Sequence, residues 1–303
     1  MTDSSVNNPD GRARLLKLPS VFLILPSLFL SALVIGYPIF DVLRMSISDV
    51  NRYGHVRGFA GVDNFLKIFN DPIFLQATNQ TLIWTFCVVG GTLLISVPIA
   101  IILNGNFFGR SVARTILLLP WAVSMAMTAV VWKFVVNGDF GMLNHTLETF
   151  GLIDTKIPWL ADATFAFAIE ILVGILVSMP FTVTILMGGL SAIPDSLYEA
   201  SSIDGASHWQ KFINITLPLL RPFLQISVVL NVIYVFNSFP IIWIMTRGGP
   251  ANKTDILITY VYKQAFAFGR IGNAAAGSVM MFAILLGFSL LFLFITRSPK
   301  ETL

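Results

Sequence analysis

Six long apolar runs, separated by segments that hold almost all of the charge, dominate the chain. They fall at about 19–40, 81–103, 111–136, 164–188, 219–245 and 273–296. A helix needs roughly 20 mostly apolar residues to cross a bilayer, and each run meets that length. No run carries a strongly charged side, so none reads as an amphipathic surface helix. Backbone amides in lipid must be satisfied internally, which makes each run a helix. Alternating segments of about 10 residues, as in a membrane barrel, do not occur. Pro26, Pro98, Pro120, Pro180 and Pro240 stand inside the runs. Membrane helices tolerate such prolines, which leaves both a packing irregularity and a hinge beside a pathway open. The expected fold is all-α and integral to the membrane: a segment 1–18, then one transmembrane domain over 19–303.

Composition agrees with this pattern. Hydrophobic residues make up 55% of the 303 residues and charged residues 12%, with a mean hydropathy of +0.79. A soluble domain carries roughly 25% charged residues. Half that share excludes a soluble enzyme and a disordered chain. A net charge of +3, from 19 Lys and Arg against 16 Asp and Glu, is too small an excess for a nucleic-acid surface. The single cysteine, Cys87, lies inside an apolar run and reads as inert packing. Arg12, Arg14 and Lys17 precede the first run as in a signal peptide, but the run is too long for one and is read as a retained helix.

Basic residues also orient membrane helices. With the N-terminus inside, nine Lys and Arg fall on inner segments and ten on outer ones, so the count does not decide. Arg12, Arg14 and Lys17 at the first helix, with Arg110 and Arg114 in the short loop after the second, favour both termini in the cytoplasm. The inner loops then fall around 104–110 and 189–218, the outer ones around 41–80, 137–163 and 246–272.

The 189–218 segment carries the most information. Pro194 suits a first helical turn, and Ser196 with Glu199 has capping-box spacing. Gly205 can take the left-handed conformation that closes that helix, and Ser207 can cap a second. Trp209, Phe212 and Ile213 then form one apolar face, with Pro218 ending the element. Such a face either docks a protein partner or lies back on the chain's own helices.

Glu199-Ala200-Ser201, then Asp204-Gly205-Ala206, then Phe212, Ile215, Leu217 and Pro218 resemble the EAA loop of ATP-binding-cassette importer permeases. Ser201 stands where that pattern usually has Ala, a small-for-small change. Thr246-Arg247-Gly248-Gly249-Pro250, with Tyr262-Lys263-Gln264-Ala265-Phe266 and Phe59-Ala60-Gly61-Val62-Asp63-Asn64-Phe65, resembles the maltose-type and glycerol-phosphate-type sugar permeases. The resemblance covers nearly the whole chain and implies the type I importer permease fold. It implies a coupling helix in which Glu199 faces a basic group of a cytoplasmic ATPase and Gly205 forms the turn. Ala200, Asp204, Ala206, Trp209 and Phe212 complete that docking surface.

The implied partners are a second homologous permease subunit, a cytoplasmic ATPase dimer, an extracytoplasmic solute-binding protein, membrane lipid and a sugar or sugar derivative. The implied location is a bacterial-type inner membrane. No Gly-x-x-x-x-Gly-Lys-Ser/Thr loop occurs, so ATP and Mg are expected on the separate ATPase, with no cofactor and no catalysis in this chain.

A sugar pathway needs hydrogen bonds and aromatic faces in a cavity between helices. Asn231, Tyr234 and Ser238 share one helical face of the fifth run, with Asn237 and Trp243 nearby; the fourth run offers Ser178, Thr182 and Thr184. Inter-helix hydrogen bonding is the alternative role for these residues. Glu170, the acidic residue placed well inside a run, joins Asn231, Tyr234, Asn237 and Ser238 as a candidate for the substrate pathway or its gating, facing either a water-filled vestibule or a neighbour, and Lys133 near a helix end snorkels.

An ion-coupled secondary transporter is the rival reading, and it would need intramembrane ion sites. His55, His145 and His208 are expected in loops without metal-type spacing, which disfavours an intramembrane enzyme.

Overall fold

The computed structural model describes residues 20–296. The 1–18 segment and the flanking Arg12, Arg14, Lys17, Arg297 and Lys300 lie outside the described residues. Among those described, five helices are long and apolar enough to cross a membrane, and a pair bent by 92° makes a sixth where the two halves count as one span.

The first span runs through α1 (Ser20–Ser31), a π turn (Ala32–Gly36) and α2 (Tyr37–Ser46). A small antiparallel hairpin follows, β1 (Ser48–Val50) paired with β2 (Val56–Phe59), then α3 (Asp63–Phe69). Asn64 of α3 ties these together, its Nδ2 donating to the carbonyls of Ser46 and Ser48. The second span is α4 (Pro72–Asn104), begun by Asp71, whose carboxylate accepts from the Ile73 amide. Its 33 residues span about 50 Å, more than the roughly 30 Å hydrocarbon thickness. It therefore starts nine residues before the expected Thr81, because Asp71-Pro72 is a strong helix start.

The third span is not one helix. The expected 111–136 element is α5 (Arg110–Ala122) and α6 (Met125–Val135), bent by 92°. Ser124 causes the break by capping α6, its hydroxyl accepting from the Met127 amide. After α7 (Met142–Thr149), the fourth span is α8 (Ala163–Ser191), capped by Asp162. Then come α9 (Asp195–Ile203), α10 (His208–Lys211), a π turn (Phe212–Thr216) and α11 (Leu217–Phe236). The expected 219–245 helix is also corrected. It stops at Phe236 and restarts as α12 (Phe239–Met245), since Pro240 has no amide for the Phe236 carbonyl. After α13 (Leu257–Tyr262) and a π turn (Lys263–Ala267), the sixth span is α14 (Ile271–Thr296).

α4 and α8 form the central pair. A side chain at Gly174 would meet Val88 Cγ2 at 2.9 Å and the Trp84 ring at 3.0 Å, so glycine sets how closely these spans approach. Buried Trp84 donates from Nε1 to the Val235 carbonyl at 2.9 Å, tying the second span to the fifth. One apolar core surrounds Trp84, Val88, Val173 and Ile242; a second, around Ala100, Leu186, Leu190, Ile193 and Leu220, roots the α8–α9 loop. Cys87 is a half-buried free thiol within α4. The apolar side chains of the first span, from Ile24 to Leu43, are largely exposed, and α2 leans on α14.

Candidate functional site

The loop between the fourth and fifth spans is a braced hairpin of helices. Gly205 adopts φ +74°, which an L side chain resists, and turns the chain from α9 into α10. The Ala206 amide donates back to the Ser201 carbonyl at 2.9 Å. Ser207 caps α10 and forms a complete capping box with Gln210. The expected box at Ser196 and Glu199 does not form. Pro194 precedes α9 and Ser196 lies inside it. Lys211 Nζ donates to Ser202 Oγ at 2.6 Å, and the Tyr198 and Thr216 hydroxyls meet at 2.9 Å, stapling α9 to α10 and to the π turn that follows it.

The side chains these staples present are those singled out from the sequence. Glu199, Ala200, Asp204 and Gly205 are exposed, and Ala206 is half-buried. Trp209 is 68% exposed, its ring 5.5 Å from that of half-buried Phe212. Pro218 does not end the element. Helix is continuous from His208 to Phe236, because the wider π turn before Leu217 absorbs the amide that Pro218 lacks. His145 and His208 lie, as expected, between the apolar runs, on the short helices α7 and α10.

Near the far end of that continuous helix is a cleft of about 250 Å³ lined by Trp121, Val177, Ser178, Phe181, Leu230, Asn231 and Tyr234. The Trp121 and Phe181 rings stack at 5.7 Å and 26°. Tyr234 is 42% exposed, and Asn231 is buried, donating to Thr182 Oγ1 and the Ser227 carbonyl, each at 2.8 Å. Asn237 is exposed at the helix break and donates to the Ile233 carbonyl. Ser238 is buried, its hydroxyl turned to the Tyr234 carbonyl. The shared face therefore covers Asn231 and Tyr234, and the break at Asn237 takes Ser238 off the helix.

Trp121 and Phe181 were not among the residues singled out; aromatic residues in two separate apolar runs carry no local sign that they meet. Trp243 lies instead in a ladder with Phe239 and Tyr262, which continues to Phe266. Its 239/243 and 262/266 spacings are the helical i, i+4 signal.

Glu170 does not line the cleft. It is fully buried in α8, and its Oε1 lies 2.7 Å from the Thr246 hydroxyl, at the start of the Thr246–Pro250 loop. In that loop Thr246 Oγ1 meets Thr254 Oγ1 at 2.8 Å. Gly248 has φ +81°, and a methyl there would collide with the Asp255 carboxylate, so the motif's first glycine is obligatory. Asp255 pairs with Lys263 at 2.5 Å. Burial pushes the Asp255 carboxyl up, against the pull of Lys263 and the Thr259 hydroxyl. Gln76 and Gln80 of α4 donate to the Asn252 and Lys253 carbonyls, fastening the loop to the second span. Lys133 Nζ donates to the Ile244 carbonyl at 2.9 Å rather than to solvent alone.

At this same end a polar cleft of about 720 Å³ opens among Asp49, Lys67, Asp71, Tyr260, Lys263 and Arg270. Burial and the neighbouring Asp71 carboxylate push the Tyr260 phenol up.

A family model described as the binding-protein-dependent transport system inner membrane component matches residues 92–298. A "probable ABC transporter permease protein" of Brucella suis biovar 1 (strain 1330) is 58% identical over 281 residues, 93% of this chain and 97% of that protein. The sn-glycerol-3-phosphate transport system permease protein of Pectobacterium atrosepticum is 32% identical over 282 residues, covering 92% and 94%. Among solved structures, a chain of a bacterial alginate ABC transporter, in complex with an alginate pentasaccharide-bound periplasmic protein, has the same fold. Its TM-score is 0.80 at 21% identity, over 93% of this chain and 95% of that one.

Proposed function

Because the chain belongs to the family of binding-protein-dependent transport system inner membrane components, we propose that it is one of two unlike permease subunits conducting a sugar or sugar derivative through an ATP-driven importer. The family places it in the inner membrane as a channel subunit of an ABC transporter. The finer reading puts both termini and the α9–α10 hairpin in the cytoplasm, within a single transmembrane domain. ATP and Mg are handled by a separate ATPase dimer that docks on Glu199, Ala200, Asp204, Gly205, Ala206, Trp209 and Phe212. A solute-binding protein delivers substrate at the opposite end.

One observation carries this reading. The helix His208–Phe236 is unbroken over 29 residues, about 44 Å at 1.5 Å per residue. It bears Trp209 and Phe212 at the docking end and Asn231 and Tyr234 at the cleft. A push on the hairpin is therefore delivered to the cleft as a rigid-body movement, the kind of displacement that alternating access requires. The staples Lys211–Ser202 and Tyr198–Thr216 keep the hairpin from yielding under that push. In the cleft, half-exposed Tyr234 supplies a polar group and the stacked Trp121 and Phe181 an aromatic wall, a combination that suits a sugar ring, while buried Asn231 and Ser178 stand behind them. Asn237, Ser238 and Glu170 stand outside the lining and are assigned supporting positions at the helix break and the loop. Nothing in this arrangement favours the ion-coupled alternative.

Reconstitution tests the reading. The chain copurified with its ATPase and second permease, placed in vesicles and given a sugar panel with the cognate binding protein, takes up sugar only with ATP. Uptake by the chain alone under an ion gradient would overturn it.

A further inference from the structure

The contact between Glu170 and the Thr246–Pro250 loop holds more information than a single hydrogen bond. Three short oxygen–oxygen contacts run in series. Glu170 Oε1 to Thr246 Oγ1 is 2.7 Å, Thr246 Oγ1 to Thr254 Oγ1 is 2.8 Å, and Thr254 Oγ1 to the Gly249 carbonyl is 2.9 Å. Each needs one proton between its oxygens. The carbonyl has none and each threonine hydroxyl supplies one, which makes two protons for three contacts. The Gly248 amide already donates to Thr246 Oγ1 at 3.1 Å, so it fills a lone pair there and adds no proton to the series. The missing proton is supplied if the Glu170 carboxyl carries it. Each contact of the series then holds one proton in one direction, from carboxyl to Thr246 to Thr254 to carbonyl, while Glu170 Oε2 stays outside it and the longer 3.2 Å approach of Thr246 Oγ1 to the Ile242 carbonyl gives up the hydroxyl proton.

The charge balance agrees. Glu170 is fully buried, and its Oε2 has no hydrogen-bond partner among the described residues. An ionised carboxylate with an orphan oxygen is costly in such a place. Ile169 and Val173 beside it on α8 are buried too. On the loop side, the ionisable neighbour whose charge reaches it is Asp255, an anion already paired with Lys263. Lys133 is engaged with the Ile244 carbonyl. Among the described residues no cation forms an ion pair with Glu170, so a second carboxylate beside the Asp255–Lys263 pair would stand unbalanced.

We propose that Glu170 is a neutral carboxylic acid whose proton heads an ordered hydrogen-bond chain through Thr246 and Thr254 to the Gly249 carbonyl, latching the loop to the fourth span. Glu170 is thus a positioning residue. It holds the loop against α8 without placing a charge in the membrane, and water reaching the carboxyl would break the chain at its first link.

The test uses the full chain with the subunits that accompany it, in lipid nanodiscs. The infrared difference between wild type and Glu170→Gln contains a protonated-carboxyl carbonyl band, unchanged between about pH 6 and 8. Glu170→Gln, whose amide can still donate to Thr246, keeps the wild-type melting temperature. Glu170→Leu and Thr246→Val each lower it by about 2–4 °C, the shift expected for loss of one buried contact of this size. Loss of a carboxylate band instead of a carboxyl band, or a Gln variant that melts as low as the Leu variant, overturns the proposal. Neither readout requires transport, so failure here leaves the importer reading standing, and failure of that reading leaves the protonation state standing.

Discussion

Glu199→Lys lowers uptake at least about tenfold while the chain inserts normally and its ATPase subunits continue to hydrolyse ATP. Glu199 is exposed on α9 and makes no side-chain hydrogen bond or ion pair within the described residues of the chain. Reversing it therefore costs little internal stability. Its effect must fall on whatever docks there. Truncating one partner of a buried interfacial charge pair costs roughly 2–5 kcal/mol, and reversal adds repulsion, so tenfold, or 1.4 kcal/mol, is a lower bound. Hydrolysis continues because the nucleotide chemistry belongs to the ATPase; what is lost is transmission. Uptake and hydrolysis measured on one reconstituted preparation check this. Uptake at the wild-type level would remove Glu199 from the docking surface.

Tyr234→Ala combined with Asn237→Ala also lowers uptake about tenfold or more, but here ATP hydrolysis stays coupled to the transport that remains. Tyr234 lines the 250 Å³ cleft together with the stacked Trp121 and Phe181, and an aromatic anchor in such a pocket carries roughly 2 kcal/mol or more. Asn237 stands at the helix break, where its amide closes the last turn on the Ile233 carbonyl. Losing it loosens the end of the helix that presents Tyr234. Phe181→Ala in the same assay separates contact from support, since it removes the aromatic wall from α8 without touching the break. Unchanged uptake in the double variant would leave Tyr234 and Asn237 as packing residues.

Much of this was legible in the chain's own pattern. The six apolar runs fall on five helices of membrane length and one bent pair, because satisfying backbone groups in lipid leaves few alternatives to helix. The α9–α10 turn was legible because Gly205 and Ser207 act locally. The breaks were less so. Pro240 stood in plain view inside the fifth run, yet a proline inside a membrane helix can bend it or end it. Here it ends α11, and the chain restarts as α12 with Pro240 in its first turn, an outcome that the proline alone does not announce. Ser124 breaks the third span by turning its hydroxyl onto the Met127 amide, and one serine among apolar residues gives no warning of that. Pro218 misled in the opposite sense, because a π turn that no spacing announces takes up its missing amide. The cleft was half legible. Asn231 and Tyr234 share a helix, whereas Trp121 and Phe181 meet them only through packing. Glu170 and Thr246 are 76 positions apart, so their contact exists only in the folded chain.

Force transmission through the α9–α10 hairpin is tested most directly by asking whether the ATPase covers it. Cys87 is the sole native cysteine, so a Cys87→Ser background carrying Ala200→Cys offers one reporter thiol on the exposed surface of α9. In inside-out membrane vesicles holding the assembled complex, that thiol crosslinks to the ATPase subunit and is shielded from a membrane-impermeant maleimide. It becomes reactive when the ATPase is stripped away. Equal labelling with and without the ATPase, and no crosslink to it, would contradict the account.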